Sequence, residues 1–134
     1  APNFKSDMKF LKKKVELGAE YIVTQLFYDN KMYFDFVKKC RAAGIDVPII
    51  PGLKPITSKK QLNIVPHFFH VNLPEVLVDA IEDAKTDEQV RQEGVKWCIQ
   101  QSEELIDAGV PVMHYYTMGK AKSVQEVAEA VFGK

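Results

Sequence analysis

The chain has 134 residues, 18 Lys and Arg against 18 Asp and Glu, 46% apolar and 27% charged residues, and seven each of Gly and Pro. These are ordinary globular values; collagen-like and low-complexity chains need far more Gly and Pro. No run approaches the roughly 18 apolar residues of a membrane span, and a zero net charge lends no support to nucleic-acid or anionic-membrane binding, which needs a net basic field.

Phe4, Met8, Leu11 and Val15 recur at helical spacing, and Gly18 follows as a stop. Tyr21 to Phe27 is β-branched and aromatic and reads as a buried strand. Tyr33, Phe36, Val37, Cys40 and Ala43 form a second helical stripe, closed by Gly44. Residues 47–51 are a short apolar strand that Pro51 and Gly52 should end. Thr57 or Ser58 is placed to cap a helix running to about Val65, and Pro74 opens another to about Ile81. Thr86 should cap a long helix with Val90, Trp97, Cys98, Leu105 and Ala108 inward, stopped by Gly109. Residues 112–116 form a third strand, and Val124, Val127, Ala128 and Val131 a last helical stripe.

The length predicts one domain over residues 1–134. Cys40 and Cys98 are far apart and in no CxxC pair, so both read as small buried hydrophobes. The start, Ala1-Pro2-Asn3-Phe4, has neither a charged n-region nor an apolar h-region. A cytoplasmic protein is therefore expected, and the missing initiator Met suggests a processed chain or a piece of a longer one.

Strands separated by helices imply parallel pairing, because a parallel return needs a crossover. The strands lack clean in/out alternation, as expected where both faces are covered. A helix end, a Gly and a strand join three times, at Gly18, Gly44 and Gly109, a pattern common in (β/α)₈ barrels. That fold needs roughly 250 residues for eight units. Three strands preceded by a strandless helix are what remains of a barrel cut between a strand and its helix. The expected class is α/β, the C-terminal part of a (β/α)₈ TIM barrel; a complete three-stranded α/β domain is the alternative.

Ligand sites of parallel α/β folds lie at the carboxyl ends of the strands. The segments there are Thr24 to Asp29, Pro51 to Pro55 and Tyr115 to Lys120. Gln25 is an amide in an otherwise apolar strand, able either to meet a heterocycle with mixed donor and acceptor edges or to bond nearby loop backbone. Tyr116 and Met118 could stack on an aromatic ligand or pack in a barrel core. Lys120 could meet a carboxylate or stay solvated, and Lys12-Lys13-Lys14 reads as a solvated helix face. His67, His70 and His114 lack metal-ligand spacing, and no phosphate loop or nucleophile elbow is present.

Asp7 to Ala19, Ile22 to Asp29, Gly44 to Ile56 and His114 to Met118 together resemble the methylenetetrahydrofolate reductase family of one-carbon metabolism, in family order and spacing. The resemblance implies a (β/α)₈ barrel carrying FAD, with NAD(P)H and 5,10-methylenetetrahydrofolate as successive partners and 5-methyltetrahydrofolate as product. It implies that Gln25 contacts the folate pterin and the nicotinamide nucleotide, and that Gln61 and Lys120 contact substrate. Asp7, Phe10, Lys13 and Lys14 then contact FAD, with Tyr116 and Met118 flanking the flavin. Lys120 stands where bacterial relatives often carry Arg, so a looser carboxylate contact is implied. Val65 falls where some relatives place a Phe over the substrate. The general-acid glutamate of the first strand and the aspartate after the fourth lie outside this chain, so no catalytic residue is assigned within it. Alone it should be catalytically silent and, with open edges, should self-associate; a small non-catalytic ligand- or partner-binding domain is the alternative.

Overall fold

The computed structural model describes residues 4–69, 73–116 and 122–133, with side chains from residue 9 and only to residue 66 in the first segment. Three helices end by one device. Gly44 and Gly109 take φ of 87° and 93° and Gly18 takes 110°, a region that glycine enters without steric cost. The amide after each glycine then reaches back five residues: Ala19 to Lys14, Ile45 to Cys40 and Val110 to Leu105, at 2.9–3.1 Å. This Schellman closure satisfies end carbonyls and hands the chain to a strand each time.

The helices so ended are α1 (Phe4–Glu16), α2 (Asn30–Ala42) and α5 (Asp87–Asp107). They feed β1 (Ile22–Leu26), β2 (Ile49–Leu53) and β3 (His114–Tyr115); α3 (Gln61–Phe69) and α4 (Glu75–Asp83) lie between β2 and α5, and α6 (Lys122–Phe132) follows β3. Thr86 caps α5 as predicted, its hydroxyl accepting from Gln89 N at 3.1 Å. The Asp29 carboxylate caps α2 by accepting from Lys31 N at 3.0 Å. Neither Thr57 nor Ser58 begins a helix directly: α3 starts at Gln61, whose amide accepts from Thr57 N and donates to Thr57 Oγ1. The cap is thus inverted, the side chain reaching back from the helix.

The sheet is parallel in the order β1-β2-β3. Consecutive parallel strands joined by crossovers of one hand put every helix on one face. The larger apolar cluster agrees: it joins Ile49 and Leu53 of β2 to Tyr33 and Cys40 of α2, Val95, Cys98 and Leu105 of α5 and Val127 of α6, with Leu11 and Val15 of α1 against its edge. A second cluster gathers Leu26, Tyr28, Ile56, Val65, Leu77, Ile81 and Val90 where α3, α4 and the start of α5 close over the strand ends. The opposite face carries Val23 and Ile50, both half-buried, and exposed Gln25 and His114. The expectation of two covered faces is therefore met on one face only among the described residues.

Three further expectations shift. The strand predicted over 112–116 is only His114–Tyr115. β2 starts at Ile49 and runs through Pro51 and Gly52 to Leu53. A proline is tolerated there because the ladder is irregular: Val23 pairs with Ile50 but Leu26 with Gly52, so β1 spends one more residue than β2. On α5, Ala108 is the exposed C-cap and not an inward residue, whereas Gly94, Val95, Gln101 and Ser102 are buried. Cys40 and Cys98 are free and buried, as expected. No described helix is long and apolar enough to cross a membrane.

Candidate functional site

The β1 irregularity builds the local geometry around Gln25. Where the backbone ladder slips, side chains replace it: Gly52 N donates to Thr24 Oγ1 at 2.9 Å, and the Tyr116 hydroxyl donates to Thr24 O at 2.9 Å. Bulges re-aim side chains, and the next residue, Gln25, is exposed with no side-chain hydrogen bond among the described residues. Among the described residues its donor and its acceptor meet no partner.

Beyond the ends of β2 and β3 lies an open cleft of about 810 Å³. Gln61 and Tyr116 both line it, so the structure brings these two predicted residues together. Gln25 does not line it; it adjoins Thr24, which Tyr116 holds. Tyr116 is half-buried against the second cluster, its ring edge-on to His114 at 4.5 Å, and burial raises its hydroxyl pKa. It therefore stays a protonated donor, combining the packing and strand-end readings. The amide of Gln61 is committed to Thr57 at both ends. Val65 is buried in the second cluster, so it offers no platform to a ligand.

Phe10, Lys13 and Lys14 lie on the exposed side of α1, away from Leu11 and Val15. Lys14 Nζ sits 4.7 Å from the centre of the Phe10 ring. A ring and two cations on one open helix face are compatible in charge and shape with a phosphate-bearing group. These residues do not line the cleft. The side chain of Asp7, and Met118, Lys120 and His70 altogether, lie outside the described residues. Among the described residues no group of three His, Cys, Asp or Glu is placed to hold a metal.

Sequence reasoning passed over Lys54. It is 6% exposed at the cleft, and among the described residues its ammonium makes one hydrogen bond, 3.4 Å to Pro55 O. Burial lowers its pKa. The available signal was a lysine inside the apolar run Ile49 to Ile56. Cys98 lies behind it, its thiol pushed up to about 12 by burial, which makes it inert.

A singly wound parallel α/β unit with a strand-end cleft is the class these features define. Residues 1–131 match the family model for methylenetetrahydrofolate reductase, and the chain belongs to that family. It is 34% identical to a probable methylenetetrahydrofolate reductase (NADPH) of Caenorhabditis elegans over 98% of this chain and 20% of the relative. It is 38% identical to methylenetetrahydrofolate reductase (NADH) 1 of Arabidopsis thaliana over 90% of this chain and 21% of that protein. It is 32% identical to the 5,10-methylenetetrahydrofolate reductase of Escherichia coli K12 over 91% of this chain and 42% of that protein. The chain thus spans about a fifth of these eukaryotic relatives and under half of the bacterial one. A solved Clostridium thermocellum protein, described as binding two copies of 5-methyl-5,6,7,8-tetrahydrofolic acid, shares the fold at a TM-score of 0.58 and 17% identity, over 96% of this chain and 47% of that one.

Proposed function

We propose that the protein carrying this chain reduces 5,10-methylenetetrahydrofolate to 5-methyltetrahydrofolate with NAD(P)H through FAD, and that these residues are the C-terminal part of its (β/α)₈ barrel. Family membership supports the reaction, and the folate ligand of the Clostridium thermocellum protein is consistent with it. The barrel is supported by the order β1-β2-β3 with helices on one face; a doubly wound sheet reverses its strand order instead. The observation that carries the reading is the exposed, uncommitted amide of Gln25 beside the β1 irregularity.

Gln25 first meets the nicotinamide nucleotide and, once that has left, orients the pterin by donating to and accepting from its edge. Tyr116, tied to Thr24 O, holds the backbone that aims Gln25. Gln61 stands at the cleft rim, and Lys120 meets a substrate carboxylate. Asp7, Phe10, Lys13, Lys14, Tyr116 and Met118 are the proposed flavin contacts. When bound, the flavin supplies the hydride chemistry. The acid that protonates substrate is supplied from outside this chain, which by itself binds and orients. The protein is proposed to be cytoplasmic and, because the strand edges and the sheet face bearing Gln25 are open, to self-associate.

Gln25→Ala tests the reading. In the whole protein it should weaken 5-methyltetrahydrofolate binding and slow the folate half-reaction about tenfold, the worth of one or two hydrogen bonds. Thermal stability should move by less than about 0.5 kcal/mol, as for surface substitutions. Unchanged folate kinetics would remove Gln25 from the site. A yellow solution with near-equimolar flavin absorption supports FAD retention by the 134-residue chain; colourless protein that takes up none argues against it. Monodisperse monomer in light scattering at high concentration would defeat the self-association.

A further inference from the structure

Along the cleft, most hydrogen-bonding groups are already taken. The Gln61 amide is held by Thr57, and the Tyr116 hydroxyl by Thr24 O. Arg91 forms ion pairs with Glu88 and Glu126, and Lys59 Nζ donates to Glu82 O at 3.2 Å. Three cations remain. Lys60 and Lys122 stand exposed at the rim, the latter within electrostatic reach of Glu88. Lys54 is the third, at 6% exposure with a single long contact to the carbonyl of its own neighbour. The acidic groups on the lining are Asp87, at the start of α5, and Glu88, spent on Arg91.

A buried ammonium without a counterion is costly. A cleft that combines one with two exposed rim cations is complementary to an oxyanion. We propose that Lys54, with Lys60 and Lys122 at the rim, seats a carboxylate or phosphate on the outer arm of the substrate. This inference rests on the functional reading above and deepens it: Gln25 reads the heterocycle, and Lys54 reads the charged end. Burial lowers the Lys54 pKa, and an anion bound beside it favours the charged form that burial disfavours.

Calorimetry on the 134-residue chain decides it, with wild type, Lys54→Met and Lys54→Arg, near-ultraviolet dichroism confirming the fold of each. The probes are 6-methyltetrahydropterin, which has no anion, 5-methyltetrahydrofolate, its triglutamate, NADH and inorganic pyrophosphate. Lys54→Met should weaken at least one anionic probe about tenfold or more, the worth of a charged hydrogen bond, and flatten its salt dependence, while the pterin binds unchanged. Lys54→Arg should recover part of the loss. Loss confined to the folates identifies a carboxylate, and loss confined to NADH a phosphate. Equal affinity of wild type and Lys54→Met for every anionic probe overturns the proposal. If neither pterin nor folates bind wild type, the functional reading fails. Pyrophosphate then decides the seat alone: loss in Lys54→Met keeps it, and equal or absent binding in both forms removes it.

Discussion

The hydroxyl of Tyr116 donates to the backbone carbonyl of Thr24 across 92 positions of sequence, at 2.9 Å. β1 and β3 are not neighbours, since β2 lies between them. The tyrosine therefore bridges over Gly52 and fastens the strand at its irregular point, one residue from Gln25. Tyr116→Phe removes the donor and should cost about 1 kcal/mol in urea unfolding. Unaltered stability would show that the bond contributes nothing.

Gly52 is the space beneath that bridge. A Cβ there would lie 2.5 Å from Thr24 O and 2.6 Å from Tyr116 Cε2. The ring can swing away but the carbonyl cannot, so Gly52→Ala should cost about 1–3 kcal/mol, as overpacking does. Because both changes act on one contact, Gly52→Ala combined with Tyr116→Phe should cost less than the sum of the two. Full additivity in a double-mutant cycle would disconnect them.

Gly94 poses the same conflict inside a helix. Alanine is favoured over glycine by about 1 kcal/mol in a helix interior. Here the added Cβ would sit 1.7 Å from the carbonyl oxygen of Ile56, so α5 could not keep its approach to the segment after β2. Packing outweighs propensity, and Gly94→Ala should destabilise by about 2 kcal/mol or more. A raised melting temperature would mean that α5 can withdraw without penalty.

Lys54→Met should be more stable than wild type at neutral pH by about 1–3 kcal/mol, because it removes a buried charge that has no acidic partner among the described residues. The sign with pH follows from the lowered pKa of Lys54. The unfolded chain holds that proton more tightly than the folded one, so wild-type stability rises with pH through the interval between the lowered value and 10.5. The advantage of Lys54→Met is full below that interval and fades as pH climbs through it. Urea titrations of both proteins from neutral pH upward measure the difference directly, and a gap that stays constant or widens would place a partner on Lys54.

Much of the backbone was legible from local chemistry. Gly18, Gly44 and Gly109 announced the three helix ends, Thr86 the cap of α5, and the apolar runs the places of the strands though not their bounds, because each is decided by neighbours in sequence. Ala108 misled for the complementary reason: it keeps helical spacing, but the Schellman turn had already lifted it into solvent. Gln25 stood out as an amide in an apolar strand, while Lys54 looked like one more lysine, since burial is not written in a side chain.

The amino-acid order by itself therefore determined the alternation of helices and strands, the inert burial of both cysteines and the family. Only the tertiary structure decided that β1 carries an extra residue, that Thr24 and Tyr116 repair the ladder there, and that Lys54 is enclosed with no counterion among the described residues. Those three facts depend on groups brought together from distant positions, where strand register and helix approach set the distances. No local propensity encodes them.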